Sequence, residues 1–304
     1  MSVIKLHFLE TRPQYLLLSI LLVILGASIA GFYGSFAWGR FSLCLIGLVL
    51  LHISTNVLND YFEYSSGIDL ETHRTPFNGG SGLLNQGLLK PKQVLWFGLM
   101  AFLLAIPIGG YLVGEVGWSL LPLFLLGTVF VGFNSSHITR LGYGLGELSA
   151  GLGLGVLPVF GTAWIIHGKP EANFLFAAVP PLLWVFNLLF LNEFPDAQAD
   201  RRGGRKTLVI ELGFRRAQWL YVGLSLSAFI WIGACIALGA IPWQCLLAFL
   251  ALPLAVKAIR LSRKPDFGGE FTKAQAANVG LVLSGHLLLA LGYVVAAYAN
   301  TVDF

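Results

Sequence analysis

The stretch NFLFAAVPPLLWVFNLLFLNEFPDAQADRRGGRKT, residues 173–207, joins a long apolar run to a group of acidic and basic side chains. Its apolar part is long enough to cross a bilayer as a helix, which takes about 20 residues. If the helix continues through the polar part, Asn192, Asp196 and Asp200 follow at intervals of four and share one face. Because ionisable side chains are costly inside a membrane, such a face is expected to line a polar cavity.

The side chains on that face carry the oxygen atoms that bind a hard cation. Oxygen ligands favour Mg²⁺, which proteins usually hold through one or two carboxylates together with the phosphates of a substrate. Basic residues that suit phosphate follow at once, namely Arg201, Arg202, Arg205 and Lys206. The alternative is a charged cytoplasmic loop that only fixes the topology of the chain.

A second acidic segment, NVLNDYFEYSSGID, ends another apolar run at residues 56–69. Its polar side chains recur at i, i+3, i+4 and i+7, which places them on one helical face: Asn56, Asn59, Asp60 and Glu63. Ser65, Ser66 and Gly67 are expected to end the helix, so that Asp69 lies just beyond it. Two such segments in one chain favour a binding site over a charged loop.

The composition is that of a polytopic membrane protein. Of the 304 residues, 56% are hydrophobic and 11% are charged, and the mean hydropathy is +0.77; soluble domains average roughly 25% charged residues. The three cysteines lie within apolar runs without paired spacing, so neither a disulfide framework nor a zinc site is indicated. Basic residues are not interleaved with exposed aromatic residues, and no nucleic-acid partner is expected.

The hydropathy pattern predicts an all-α membrane protein in which nine transmembrane helices form a bundle around a central cavity. With the N-terminus inside, nearly all Lys and Arg residues fall in cytoplasmic loops, as the positive-inside rule requires. Both acidic segments then open on the cytoplasmic face of the cell membrane. A single domain is expected over residues 1–304. The predicted spans are 14–35, 40–62, 93–114, 118–138, 143–167, 173–195, 216–239, 242–261 and 275–299.

Two further features lie near these segments. The glycines of ETHRTPFNGGSG, residues 71–82, would allow backbone N–H groups to turn towards an anion, although a flexible surface loop also explains them. His73 is expected to be a solvated loop residue. Glu147 is predicted about one turn inside the fifth span, where it either pairs with a cytoplasmic arginine or faces the same cavity.

Together the two acidic segments resemble the UbiA superfamily of intramembrane aromatic prenyltransferases, and the likeness covers almost the whole chain. Asn59-Asp-Tyr-Phe-Glu63 with Asp69 resembles the first Asp-rich motif of that family, and Asp196-Ala-Gln-Ala-Asp200 resembles the second. Residues 192–208 and 143–147 are most similar to the dihydroxynaphthoate polyprenyltransferases of menaquinone synthesis. Two positions depart from the family pattern: Glu63 stands where aspartate is usual, and Gly67 where many members have a further acid.

The resemblance implies Mg²⁺-dependent transfer of a polyprenyl group from polyprenyl diphosphate to an aromatic acceptor, 1,4-dihydroxy-2-naphthoate, in menaquinone biosynthesis. The implied Mg²⁺ ligands are Asn56, Asn59, Asp60, Glu63, Asp69, Asn192, Asp196 and Asp200. The implied diphosphate site comprises Arg74, Arg140, Arg205 and Lys206, with Glu147 beside them. The implied catalytic residues are Asp60, Glu63, Asp196, Asp200, Arg74 and Arg140.

Other functions stay open at this point. The acceptor could instead be 4-hydroxybenzoate, homogentisate or chlorophyllide. Intramembrane carboxylates also mark secondary transporters, although those place their sites near the bilayer midplane between inverted repeats, and no repeat is visible here. Lipid phosphotransferases with paired acidic motifs on one helix are disfavoured because the two motifs of this chain lie far apart in sequence.

Overall fold

The computed structural model describes residues 2–72, 74–264 and 267–302, so His73 lies outside the described residues. Helices account for most of these ranges, and strands are absent from them. Nine of the described helices are long and apolar enough to cross a membrane. They are α1 (Pro13–Phe32), α2 (Trp38–Ser66), α3 (Pro91–Val116), α4 (Trp118–Leu141), α5 (Leu145–His167), α6 (Ala172–Arg202), α7 (Phe214–Ala237), α8 (Trp243–Leu261) and α9 (Gly269–Asn300).

The prediction of an all-α fold with nine spans is confirmed, and each predicted span overlaps one of these helices. The main difference is that three helices extend further into polar sequence than predicted. α2 continues to Ser66, α6 continues to Arg202, and α9 begins at Gly269. The predicted limits counted apolar residues only, whereas polar side chains that find partners at the end of the bundle let the helices continue.

Helix α9 packs against α1, α6 and α8, and α6 also packs against α5 and α7. Glycines permit the closest of these approaches, as is usual between membrane helices. A Cβ atom on Gly292 of α9 would lie 2.8 Å from the Cα atom of Cys245 in α8. In α5, Cβ atoms on Gly151 and Gly155 would each lie 2.8 Å from carbonyl oxygens of α6. Gly151 and Gly155 therefore allow α5 to pack closely against α6.

Two helices contain π-helical turns: Asn134–Ile138 in α4 and Leu152–Val156 in α5. Such turns insert an extra residue per turn and are frequent at functional sites. Asn134, Ser135 and Leu154 from these turns line the cavities described below.

The polar connections gather at one end of the bundle. α2 ends at Gly67, whose φ of +78° is the left-handed conformation that glycine favours at a helix end. The loop that follows reaches back to α1, where the Tyr15 hydroxyl donates to the Phe77 carbonyl over 3.0 Å. After α6, Lys206 N donates to the Thr139 carbonyl of α4 over 2.8 Å. The ends of α1, α2, α4 and α6 therefore surround one opening, which we call the mouth.

Candidate active site

The two acidic segments meet at the mouth through one guanidinium group. Arg205 Nη1 lies 2.8 Å from Glu63 Oε1 of α2 and 3.0 Å from Asp200 Oδ1 of α6. Arg205 reaches both because α6 ends at Gly203 and the chain turns back, so that Arg205 N donates to the Asp200 carbonyl over 2.9 Å. Segments that are distant in sequence thus share one site, as the sequence analysis expected.

On the α6 side, Asn192, Asp196 and Asp200 all line a polar cavity of about 200 Å³ at the mouth. Asp196 Oδ1 accepts a hydrogen bond from Asn78 Nδ2 over 2.6 Å, and Asn192 Oδ1 accepts one from Gln275 Nε2 over 3.1 Å. The interval of four residues therefore produces the single polar face that it predicts.

On the α2 side, Asn56, Asn59 and Glu63 line the same cavity. Asn56 Nδ2 donates to the Thr11 carbonyl over 3.0 Å, and the Ser135 hydroxyl donates to Asn59 Oδ1. Asn56 Oδ1 makes no hydrogen bond with any residue in the described ranges. Residues with oxygen-bearing side chains from two helices therefore line one cavity.

Asp60 belongs to the predicted face but lies outside the cavity lining, with only 1% of its surface exposed. Ser81 N donates to Asp60 Oδ2 over 2.6 Å, and Arg12 Nη1 lies 3.8 Å from Asp60 Oδ1. A Cβ atom on Gly80, whose φ is +63°, would lie 2.9 Å from Asp60 Oδ1. The glycine-rich loop does turn a backbone N–H towards an anion, but that anion is the carboxylate of Asp60.

The remaining predicted residues occupy other places. Arg74 holds the loop, because its Nε and Nη2 atoms donate to the carbonyls of Gly79 and Gly80 over 2.8 and 3.0 Å. Arg140 and Lys206 are exposed beside the mouth and do not line the cavity. Their contact with diphosphate stays a prediction.

Glu147 and Asp69 are both buried and lie outside the cavity lining. Glu147 Oε1 accepts from Leu208 N over 2.6 Å, and no arginine within the described ranges bonds to this carboxylate. The Asp69 carbonyl accepts from Asn85 Nδ2 over 3.0 Å, which ties the end of α2 to the loop. Their roles as site residues also stay predictions.

The polar cavity is also lined by residues that the sequence pattern did not predict. Arg12, Asn78, Ser135 and Glu193 line the polar cavity. Arg12 is a non-glycine residue with a positive φ of 54°, and its guanidinium lies 4.7 Å from the centre of the Tyr15 ring. A residue in this rare conformation is a functional signal, but one that only coordinates reveal. Asn78 could not be predicted as a site residue, because it lies in a loop and helical spacing gives no information there.

Acidic side chains outnumber basic ones in the lining of the polar cavity, and burial and neighbouring charges alter the pKa values of groups around the mouth. Burial and the charge of Asp60 raise the pKa of Glu10 to about 7. Burial and the charges of Glu63 and Asp60 raise the pKa of Asp69 to about 8. Burial alone would lower the pKa of Arg205, but the charges of Glu63 and Asp200 outweigh it and raise the pKa. The mouth therefore favours additional positive charge.

The donor set fits a hard divalent cation. Within the ranges that the structure describes, no group of three or more His, Cys, Asp or Glu residues is placed to hold a metal ion without further ligands. The oxygens Asp60 Oδ1 and Asp69 Oδ1 are buried without a hydrogen-bond partner, and buried polar atoms of this kind require an explanation. Carboxylate and amide oxygens with an excess of negative charge suit Mg²⁺, whose coordination substrate phosphates commonly complete.

A larger apolar cavity of about 550 Å³ adjoins the polar one and is lined mainly by α2, α3, α4 and α5. It runs along α4 from Asn134 to Trp118, a distance of about 24 Å at 1.5 Å per helical residue. His52, Thr55 and Asn134 line both cavities. The molecule therefore joins an acidic chamber to an elongated apolar one.

Residues 19–278 match the family model of the UbiA prenyltransferase family. The chain belongs to this family. It is an integral membrane protein of the prenyltransferase class, and the predicted family is confirmed.

Comparison with individual UbiA proteins agrees with this assignment. The 1,4-dihydroxy-2-naphthoate octaprenyltransferase of Bacillus subtilis (strain 168) is 29% identical over 252 residues, which cover 82% of this chain and 79% of that protein. The apo structure of a UbiA homolog from Aeropyrum pernix K1 matches with a TM-score of 0.69 at 15% identity, over 92% of this chain and 97% of that one. A UbiA homolog from Archaeoglobus fulgidus, solved bound to DMAPP and Mg²⁺, matches with a TM-score of 0.61 at 13% identity, over 94% and 99%.

Proposed function

We propose that this UbiA-family protein transfers a polyprenyl group from polyprenyl diphosphate to 1,4-dihydroxy-2-naphthoate in menaquinone biosynthesis. The observation that carries the proposal is the junction between the acidic cavity and the apolar cavity, because a polyprenyl diphosphate has one end suited to each. The choice of acceptor is supported by the likeness to the naphthoate octaprenyltransferase of Bacillus subtilis. The donor and Mg²⁺ are supported by the homolog that binds DMAPP and Mg²⁺.

The acidic cavity would hold Mg²⁺ together with the diphosphate. The proposed ligands that line it are Asn56, Asn59, Glu63, Asn192, Asp196 and Asp200. Asp60 and Asp69 stay in the proposed set because each has a buried oxygen without a hydrogen-bond partner among the described residues. When bound, Mg²⁺ would supply positive charge to the diphosphate as the carbon–oxygen bond breaks.

Two guanidinium groups would add to that charge. Arg12 and Arg205 line the cavity, and both are placed to donate hydrogen bonds to phosphate oxygens as negative charge develops on them. Arg74 would act indirectly, by holding the loop that covers Asp60. Arg140 and Lys206, which are exposed beside the mouth, would attract the anionic substrate.

The apolar cavity would hold the isoprenoid chain and exclude water from the reacting carbon. Phe130 lines it about one helical turn from the junction residue Asn134, and an aromatic ring can stabilise a nearby cation such as an allylic cation. An electron-rich ring carbon of the acceptor then forms the new carbon–carbon bond at the junction, and carboxylate loss accompanies prenylation of dihydroxynaphthoate.

We further propose that the protein lies in the cell membrane with its N-terminus and the mouth on the cytoplasmic side, and that it forms a single catalytic domain. Exposed basic residues concentrated at the mouth support the orientation. Examples are Arg140, Arg201, Arg202 and Lys206. Packing of α9 against α1 supports one domain.

The proposal is tested with purified protein, Mg²⁺ and a polyprenyl diphosphate, offering dihydroxynaphthoate, hydroxybenzoate, homogentisate and chlorophyllide in parallel. We expect prenylated naphthoate and release of diphosphate, whereas a transporter would release none.

Asp196→Ala and Asp60→Ala should each abolish transfer while the protein remains inserted, because both remove negative charge proposed to hold Mg²⁺. Glu115→Ala, which changes an acid at the opposite end of α3 that pairs with Arg40, is the matched control. Full activity of both aspartate variants would contradict the metal assignment.

A further inference from the structure

The junction of the two cavities is where the reacting atoms must meet. Five described residues line both cavities: His52, Thr55, Asn134, Ala150 and Leu154. The diphosphate fits one cavity and the isoprenoid chain fits the other, so the bond that breaks lies between them. The ring of the aromatic acceptor has to reach this junction to attack.

His52 is a buried side chain whose ring is held in place by a neighbouring helix. It lies in α2 with 4% of its surface exposed, and its Nδ1 atom is 2.7 Å from the hydroxyl oxygen of Ser19 in α1. Ser19 itself is fully buried. The other ring nitrogen, Nε2, has no hydrogen-bond partner within the described residues. The Ser19 contact restrains the ring, because a partner on one nitrogen sets the tautomer and orientation of an imidazole.

The oxygen atoms of the other polar side chains at the junction already make hydrogen bonds. The Thr55 hydroxyl donates to the Leu51 carbonyl over 2.9 Å. Asn134 Oδ1 accepts from the Ser149 hydroxyl over 2.5 Å. Asn134 Nδ2 can only donate a hydrogen bond, so His52 Nε2 is the nitrogen atom at the junction that can accept one from a hydroxyl group of a ligand.

We propose that His52 binds the aromatic acceptor. In this proposal Nδ1–H donates to the Ser19 hydroxyl oxygen, and Nε2 accepts a hydrogen bond from a ring hydroxyl of the acceptor. This contact orients the acceptor with its ring carbon towards the junction, and Ser19 acts as a positioning residue. The inference rests on the proposed function, since it assigns a residue to the acceptor of that reaction.

The test separates binding of the acceptor from binding of the polyprenyl diphosphate. His52→Gln and His52→Phe are expected to raise the KM for dihydroxynaphthoate by about tenfold, the size expected for one hydrogen bond. The KM for polyprenyl diphosphate should stay within about twofold of wild type. Ser19→Ala should raise the acceptor KM by about threefold, because it frees the ring without removing it. His286→Gln, a substitution of a buried histidine of α9 outside both cavities, is the matched control.

An acceptor analogue makes the test specific to the hydroxyl group. Removing the hydroxyl group that His52 binds should lower the affinity for the acceptor by about tenfold in wild-type protein and by less than about twofold in His52→Phe. Equal losses in both proteins, for each single-hydroxyl analogue, would overturn the proposal. An unchanged acceptor KM in both His52 variants, or an equal rise in both KM values, would also overturn it.

Equilibrium binding of dihydroxynaphthoate to the purified protein keeps this inference distinct from the proposed function. If wild-type protein binds dihydroxynaphthoate but transfers no polyprenyl group, the proposed function fails while His52 is still tested by its effect on affinity. If the wild-type protein transfers and the His52 variants bind the acceptor like wild type, only the His52 inference fails.

Discussion

The two acidic segments of this UbiA protein look alike in sequence but are built differently. In α6, Asn192, Asp196 and Asp200 lie on an uninterrupted helix, and all three reach the polar cavity. In α2, Glu63 reaches the cavity, whereas Asp60 is enclosed by the loop that follows. Spacing along a helix decides which side chains share a face. The segments packed over that face decide which of them a ligand meets.

The difference also divides the work of the site. The α6 carboxylates are held by side chains that line the cavity, such as Asn78 on Asp196. Asp60 is held from behind, by Ser81 N and by Arg12. One segment therefore presents ligands directly, and the other combines ligands with anchoring of the loop and the N-terminal region. Arg205 joins the two.

Among changes to the contact between the segments, removal of Arg205 has the largest expected effect, because it breaks the ion pairs that bridge them in the described residues. Arg205→Met should lower the transfer rate by about a hundredfold, through loss of a donor to the diphosphate. It should also lower the free energy of unfolding by about 3 kcal/mol, because Glu63 and Asp200 lose a buried partner. Initial rates and thermal unfolding in detergent measure the two effects.

The neighbouring residue provides the control for this prediction. Lys206 is exposed, and its only described hydrogen bond is made by its backbone nitrogen. Lys206→Met therefore removes one positive charge without breaking a buried pair, and its rate should fall by less than about tenfold. If the two variants lose rate equally, the bridge between the segments does not matter for transfer.

A smaller perturbation tests the loop that encloses Asp60. Gly80→Ala adds a Cβ atom 2.9 Å from Asp60 Oδ1 at a φ of +63°, so the loop has to move away from the carboxylate. Left-handed backbone alone costs an alanine about 1–2 kcal/mol. We expect the transfer rate to fall by about tenfold, measured with saturating substrates.

Gly87→Ala serves as a control that has the backbone strain of Gly80→Ala without displacement of the loop from Asp60. Gly87 lies in the same connection with a similar φ of +67°, but no atom lies within 4 Å of its added Cβ. Its variant should therefore lose stability to a similar degree and keep its transfer rate. A rate for Gly80→Ala that matches that of Gly87→Ala would mean that the contact with Asp60 is unimportant.

The sequence alone predicts much of this architecture because apolar run length and helical period are local properties. The nine spans follow from run length, and the shared face of Asn192, Asp196 and Asp200 follows from their spacing. The identity of the partner of each acid does not follow, because Arg205, Asn78 and Ser81 reach their acids through turns and loops with no period.

Arg12 and Arg74 show the same limit for basic residues. Arg12 reads in the sequence as a flanking residue before a span, yet a left-handed backbone turns it into the cavity. Arg74 reads as a phosphate ligand, yet its guanidinium satisfies two carbonyls of its own loop. A cation in a loop can serve either an anion or the backbone, and only the path of the chain decides between them.

The smallest expected effect concerns the anchoring side of the site, through Glu10. The Ser81 hydroxyl donates to Glu10 Oε2 over 2.6 Å, and burial together with the charge of Asp60 raises the pKa of Glu10 to about 7. The folded protein therefore keeps a proton that the unfolded chain releases above its ordinary pKa, so Glu10 stabilises the fold at low pH and loses that effect as the pH rises towards about 7.

Glu10→Gln removes this dependence, so the Tm of wild type minus the Tm of the variant should fall by a few degrees between about pH 5 and about pH 8. Glu171→Gln is the contrasting control, because its hydrogen bond and ion pair with Lys169 lower the pKa of Glu171. Its contribution to stability is lost only at pH values below the ordinary pKa of a glutamate, so its Tm difference from wild type should stay constant between about pH 5 and about pH 8. If the Tm difference between wild type and Glu10→Gln does not change with pH, the charge of Asp60 does not influence the protonation of Glu10. The contrast between the two segments would then rest on geometry alone.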